Sequence, residues 1–161
     1  MRRSDREILG LSNILAVLDQ CDVIRVGLCV DNKPYIVPVN FAYEVTDGNI
    51  TIYFHSASEG RKLDMIAKNS NACFEADCCY KLLTAEERAC DWTAEFQSVM
   101  GEGQISVVTD NAQKIHALDI LMKRHGFVGK PKYQKFAAVT VLQISVTSMT
   151  GKSKPPRAAG W

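Results

Sequence analysis

The sequence predicts a mainly β protein, a small six-stranded antiparallel barrel with flanking α-helices. Six segments are rich in β-branched and aromatic residues. Neighbouring segments are joined by short turns such as Asp31-Asn32-Lys33-Pro34 and Thr46-Asp47-Gly48-Asn49, which make hairpins rather than long crossovers. Six strands in a chain of 161 residues tend to close on themselves.

The elements follow in order. Ser4-Asp5-Arg6-Glu7 has the form of a capping box, and Ile8, Leu11, Ile14, Leu15 and Leu18 recur at helical spacing. One or two short helices are therefore expected over 4–20, with Ser12 restarting the helix after Gly10. Val23 to Val30 reads as the first strand. Tyr35 to Tyr43 reads as the second, and Pro38 within it marks an edge, a bulge or the approach of a ligand, because proline cannot donate to a ladder. Ile50 to Phe54 is the third strand, and Arg61 to Lys68 is a helix with Leu63, Ile66 and Ala67 on one face.

Ala72 to Cys79 is the fourth strand. Lys81 to Thr93 is mixed and polar, which suggests a loop with a helical turn. Gln97 to Val108 is the fifth strand, where Gly101 and Gly103 permit a bend or a close backbone approach. Asp110-Asn111-Ala112-Gln113 opens another helix, with Ile115, Leu118, Ile120, Leu121 and Met122 on its apolar side. Gly126 to Lys132 breaks it, and Ala138 to Val146 is the sixth strand. A single domain is expected over 1–151. Residues 152–161 form a basic, proline-containing tail without core-forming pattern, expected to be mobile.

Composition narrows the functional classes. The chain is 47% hydrophobic and 23% charged, with a formal net charge of +1, so no global field favours nucleic acid or an anionic membrane. The amino-terminal run is charged, without a signal-peptide core, and no stretch is long and apolar enough to span a bilayer; the expectation is a cytoplasmic protein. The six cysteines include no C-x-x-C and no paired Cys/His ligand motif, so reduced thiols are expected and no metal. Cys78-Cys79 and Cys90 are the candidates for redox chemistry near a cofactor.

The run Tyr53-Phe54-His55-Ser56-Ala57-Ser58-Glu59-Gly60-Arg61-Lys62 carries the most functional information. A strand ends at a turn of small polar residues, and two adjacent cations open the next helix. That combination suits a phosphate: donors at a helix start beside Arg and Lys. The plain alternative is a solvated first turn, but cations there oppose the helix dipole, which favours an anionic partner.

With this run, Lys33-Pro34-Tyr35-Ile36-Val37-Pro38-Val39-Asn40-Phe41 and Gln97-Ser98-Val99-Met100-Gly101-Glu102-Gly103 make the chain resemble the FMN-binding split-barrel proteins related to pyridoxamine 5′-phosphate oxidase, and most closely the branch of 5-nitroimidazole-resistance proteins. The resemblance spans nearly the whole chain. It implies a six-stranded antiparallel split β-barrel of the FMN-binding type, a homodimer, and FMN at the subunit interface. It also implies that Arg61 and Lys62 bind the phosphate, that His55, Ser56 and Ala57 line the site, and that Val37, Pro38, Val39 and Asn40 run beside the isoalloxazine ring. Gln97 and Ser98 match positions that reach the flavin from the other subunit.

Trp92 is a core or interface residue with the pocket rim as its second placement, and His55 is the catalytic candidate because the nitroimidazole-resistance relatives use a histidine near the flavin. The implied activity is electron transfer from NAD(P)H through FMN to a small organic acceptor such as a nitroaromatic. The alternatives are a non-catalytic flavin carrier or sensor, and a haem-binding split barrel. The tail Lys154 to Trp161 lacks the Trp and Arg segment with which pyridoxamine-phosphate oxidases grip substrate, which argues against that substrate. Glycines are too few for a dinucleotide fingerprint, so a nicotinamide would come and go as a substrate. His116 and His125 are expected to serve as surface or helix-end residues.

Overall fold

A single phenylalanine interrupts the apolar run from Tyr35 to Tyr43 and decides how the sheet closes. Phe41 is completely buried, and the chain bends there between two strands. The structure is a computed structural model describing residues 3–84, 89, 92–129, 131–133 and 139–154. Its strands are β1 (Glu7–Ile8), β2 (Val23–Val30), β3 (Lys33–Asn40), β4 (Ala42–Thr46), β5 (Asn49–Ser56), β6 (Asn71–Leu83), β7 (Thr93–Val107) and β8 (Thr140–Lys154). The helices are α1 (Leu11–Asp19), α2 (Arg61–Ile66) and α3 (Asn111–Arg124).

The strands form one antiparallel sheet in the order β3-β2-β6-β7-β8-β5-β4, with β1 added beside β8. Its two terminal strands, β3 and β4, are neighbours in the chain with only Phe41 between them. The sheet therefore curls until its ends meet at that residue, giving a split β-barrel. The expected fold is observed with eight strands rather than six. The extra two are the short β1 and the division at Phe41.

Burial explains the patterning. Ile24, Val26 and Leu28 of β2 alternate into the barrel, as a half-exposed strand requires. β5 alternates in the same way except at Tyr53, which is buried on the other face as well. Ile50, Ile52 and Phe54 face the barrel, whereas Tyr53 lies under α3 with Ala42, Ala117, Leu121 and Val141. Ile14, Val17 and Leu18 of α1 and Met65 and Ile66 of α2 complete the barrel core.

Several boundaries differ from expectation. Ser4–Arg6 is a 3₁₀ turn with no side-chain cap, and Glu7 and Ile8 pair with Lys152 and Gly151 instead of continuing a helix. Gly10, at φ +84°, separates this segment from α1. Helix α2 stops at Ile66. β6 and β7 run as a long hairpin into the region expected to be a loop, with a bulge between Cys78 and Lys81 that local patterning does not reveal. β8 continues to Lys154, where Lys152, Ser153 and Lys154 pair with Ser98, Gln97 and Phe96. The expected domain end at 151 therefore moves, because ladder pairing holds these three polar residues. Cys90, Asp91, Ala138 and the tail from Pro155 to Trp161 lie outside the described residues.

Asp110 caps α3 as expected, its Oδ1 accepting from the Gln113 amide at 2.9 Å. Gly103 lies beside a register shift in β7, where a Cβ would run into the backbone of Ser145. No helix of the described residues is long and apolar enough to cross a membrane.

Arg124, in the last turn of α3, ties the helices to the Phe41 corner. Its Nη2 donates to the carbonyls of Leu18 at 2.5 Å and Cys21 at 2.8 Å, and Nη1 lies 3.4 Å from Asp19 Oδ1. Its guanidinium also sits 4.5 Å from the Phe41 ring centroid. The carbonyls of Leu18 and Cys21 at and just past the end of α1 thus gain charged donors, the former in addition to the Cys21 amide. Nearer the start of α3, His116 Nε2 meets Glu44 Oε2 at 2.7 Å, and Tyr53 donates its hydroxyl proton to the same carboxylate. Replacing Arg124 by Ala is expected to lower unfolding free energy in urea by about 2–4 kcal/mol, since charged hydrogen bonds to buried carbonyls and a cation–π contact are lost together. Arg124→Lys should recover only part of that loss.

Candidate functional site

The end of β5 brings its residues to the mouth of the barrel. His55 pairs with Val141 and Ser56 with Thr140 in the ladder to β8, and both chains part beyond that point. The chain then turns through exposed Ala57, Ser58 and Glu59 to Gly60, whose φ of +129° and open surroundings suit glycine. Arg61 and Lys62 follow at once as the first residues of α2.

The two cations have aromatic supports. The Arg61 guanidinium lies 4.7 Å from the ring centroid of Tyr35 on β3, and Lys62 Nζ lies 5.8 Å from that of Phe54. Among the described residues no carboxylate pairs with either, although Glu59 and Asp64 are close in sequence. Burial alone pushes the Lys62 ammonium below its usual range. A half-buried cation with no counter-charge is an electrostatic cost that an anion would relieve. The donor set therefore fits a phosphate group. Helix α2 has only six residues, so the side chains carry more of this argument than the helix dipole does.

The β3 residues divide between two faces. Val37 and Val39 turn inward and pack on the core, whereas Pro38 and Asn40 are exposed on the outer face. A flavin on this side would meet Pro38 and Asn40 side chains and only the backbone of the two valines. β3 is an edge strand, which accounts for the tolerated Pro38. Asn40 is fixed by a 3.1 Å bond from its Nδ2 to the Asp22 carbonyl. It lines a cavity of about 330 Å³ with His55, His125 and Tyr133.

Trp92, Gln97 and Ser98 lie elsewhere. Trp92 is half-exposed just before β7. Gln97 Oε1 is 3.4 Å from Gln20 Nε2 and accepts weakly from Cys78 and Cys79, at 3.8 and 3.7 Å. Ser98 pairs with Asp77 on one side and Lys152 on the other. Along β8, His55 is opposite Val141 and Gln97 opposite Ser153, twelve residues further on. Twelve residues of strand are on the order of 40 Å of contour. One chain therefore does not bring Gln97 and Ser98 to Arg61 and Lys62.

Three residues at the site escaped sequence reasoning. Tyr35 was detectable by its alternation with Val37 and Val39. His125 and Tyr133 come from beyond α3, and nothing in local spacing links them to β5. The five described cysteines are free thiols. Burial, followed by the neighbouring Cys79 and Cys21 thiols, pushes Cys78 up to about 12, which opposes thiolate reactivity there. No group of three or more His, Cys, Asp or Glu among the described residues is arranged to hold a metal ion.

Known proteins place the chain directly. The family profile described as pyridoxamine 5′-phosphate oxidase matches residues 12–153. The chain belongs to that family. A Bacteroides thetaiotaomicron protein named for 5-nitroimidazole antibiotic resistance is 32% identical, with a TM-score of 0.77 over 91% of this chain and 86% of that one. The FAD-binding protein of Mycobacterium smegmatis is 25% identical, with a TM-score of 0.61 over 93% and 99%. The flavocytochrome Anf3 of Azotobacter vinelandii shares the fold at 21% identity, with a TM-score of 0.77 over 97% and 72%. No curated protein sequence matches. The resemblance seen in the sequence is thus confirmed, including its nitroimidazole-resistance branch.

The uncompensated charge at Lys62 makes a test without any ligand. Lys62→Met keeps the apolar stem and removes the desolvated ammonium. The folded-state pKa of Lys62 is depressed, so its charge costs stability below that pKa, and the cost disappears as pH rises through it toward the unfolded value. At neutral pH the flavin-free variant should therefore melt slightly above wild type in calorimetry, by less than about 1 kcal/mol because water still reaches the head group.

Proposed function

We propose that this protein is an FMN-dependent oxidoreductase that works as a homodimer, with the flavin phosphate held by Arg61 and Lys62. The observation that carries the reading is the pair of cations at the β5–α2 turn, braced by Tyr35 and Phe54 and without a carboxylate partner among the described residues. A terminal phosphate dianion matches two adjacent cations in charge and geometry. Two relatives carry flavin-related or nitroimidazole-related names at 25% and 32% identity, which supports the same reading.

Bound flavin supplies two-electron transfer between NAD(P)H and a small organic acceptor, nitroaromatics being one candidate class. The chain's own residues do the rest. Ser56 and Ala57 form a small-residue turn that lets a phosphate approach the cations. Pro38 and Asn40 offer an apolar face and an amide to the ring, and β3 contributes edge backbone. His55, exposed at the end of β5, is placed to donate a hydrogen bond or a proton near the ring or the acceptor.

Two features support the dimer. Gln97 and Ser98, on β7 opposite the far end of β8, stand too far from His55 to complete a site within their own chain, so a second copy must bring them if they contact flavin. The outer face of β3, β2, β6 and β7 is also an apolar trough, where Ile36 is 67% and Met100 61% exposed around Gly27 and Gly101. A patch of this kind on a soluble protein marks an interaction surface.

Titration of wild type with FMN should give one flavin per chain on a species of dimer mass in analytical ultracentrifugation. The double variant Arg61→Ala/Lys62→Ala should bind FMN at least about 100-fold more weakly, the loss expected for two charge-assisted contacts. Unchanged affinity would remove the phosphate from this corner. Anaerobic NADH or NADPH should bleach the bound flavin; a flavin that stays oxidised would indicate a carrier.

A further inference from the structure

Three cysteines meet where the end of α1 lies against the β6–β7 hairpin. Cys21 follows α1, Cys78 and Cys79 stand at the bulge of β6, and Gln97 of β7 is the ladder partner of Cys78. Consecutive strand residues ordinarily point to opposite faces. At Cys79 the backbone is left-handed, with a φ of +58°, which is uncommon outside glycine. Both thiols consequently reach one oxygen: Gln97 Oε1 lies 3.8 Å from Cys78 Sγ and 3.7 Å from Cys79 Sγ. Cys79 also donates to Gln20 Oε1 at 3.3 Å. The Cys78 thiol is hydrogen-bonded with the thiols of Cys79 and Cys21. A strained residue that turns two adjacent thiols toward each other calls for a chemical reason.

The three sulfurs differ in access. Cys79 is exposed and meets a reagent first. Cys78 is half-buried against the barrel core. Cys21 is buried and donates to the Val17 carbonyl at 3.2 Å. Burial pushes the Cys21 thiol up, so it stays protonated and unreactive. Burial, followed by the Cys79 and Cys21 thiols, does the same to Cys78. The share owed to Cys79 disappears once the Cys79 sulfur is bonded to another sulfur, so the first step prepares the second. None of these residues lines the apolar trough on the outer face of the sheet.

We propose that Cys78 and Cys79 form a reversible dithiol–disulfide centre that exchanges with low-molecular-weight disulfides. The Cys79 thiolate attacks one sulfur of the small disulfide, forms a mixed disulfide and expels one small thiolate. Cys78 then loses its proton, attacks the Cys79 sulfur and expels the second. The protein sulfurs lose two electrons, the small disulfide gains them, and the two thiol protons leave on the two small thiols. Adjacent Cα atoms are about 3.8 Å apart, shorter than the usual disulfide span. The resulting bond is therefore strained and easily reduced, which makes the exchange reversible. The inference stands without the flavin reading.

The test incubates reduced full-length protein with oxidised glutathione without oxygen, then alkylates it and reads intact mass and peptide fragments. Wild type should lose two hydrogens at Cys78 and Cys79, retain no glutathione on either, and regain both thiols in dithiothreitol. Cys78→Ser should trap glutathione on Cys79, with at least about 10-fold more adduct there than wild type, because the expelling thiol is gone. Cys79→Ser should leave Cys78 reduced. Wild-type thiols at 78 and 79 that both stay reduced would overturn the proposal. So would a disulfide joining Cys78 to Cys21, or a Cys79 adduct that accumulates equally in wild type and Cys78→Ser.

Discussion

The barrel depends on what happens at Phe41. The sheet begins with β3 and ends with β4, and one residue connects them. A bend at that residue requires a side chain that secures the corner from inside, and Phe41 is completely buried there. Arg124 covers the same ring and reaches the last carbonyls of α1. Closure of the sheet, docking of α3 and termination of α1 are therefore parts of one arrangement. The same corner sets Asn40 beside the end of β5, so the functional region inherits its geometry from the fold's closing contact.

The candidate phosphate site shows the opposite energetics. Core positions are satisfied by apolar contact, and Glu44, Asp19 and Asp110 have hydrogen-bond partners. Burial pushes the Glu44 carboxyl upward, yet the Tyr53 and His116 hydrogen bonds outweigh it and hold the group below its usual range. Lys62 has no such compensation, and its burial is the sole cause of its shift. A charge that weakens the empty protein and lacks a structural role is characteristic of a ligand site, where local consistency is given up for binding.

Much of this was legible in the sequence because the signals were local. Hairpin turns, the β-branched runs, the Asp110 cap and the two cations after a small-residue turn all depend on spacings of a few residues. The misses share a cause. The split at Phe41 needs knowledge of which strands end the sheet. The bulge after Cys78 and the extension of β8 to Lys154 arise from pairing with β7, which patterning of one segment does not contain. The capping-box pattern at Ser4 failed because Glu7 and Ile8 find partners on β8, and tertiary pairing overrides local preference. His125 and Tyr133 join His55 only because α3 folds over β5, so the cavity could not be read from any window of sequence.

The central claim is that recognition begins with the phosphate rather than the ring. Comparing FMN with riboflavin, which has the same ring and ribityl chain but no phosphate, tests it most directly. Fluorescence titrations of wild type should show FMN binding at least about 100-fold more tightly than riboflavin. In the Arg61→Ala/Lys62→Ala variant that preference should collapse toward unity. Equal affinity of wild type for the two ligands, or a preference that survives loss of both cations, would contradict the account.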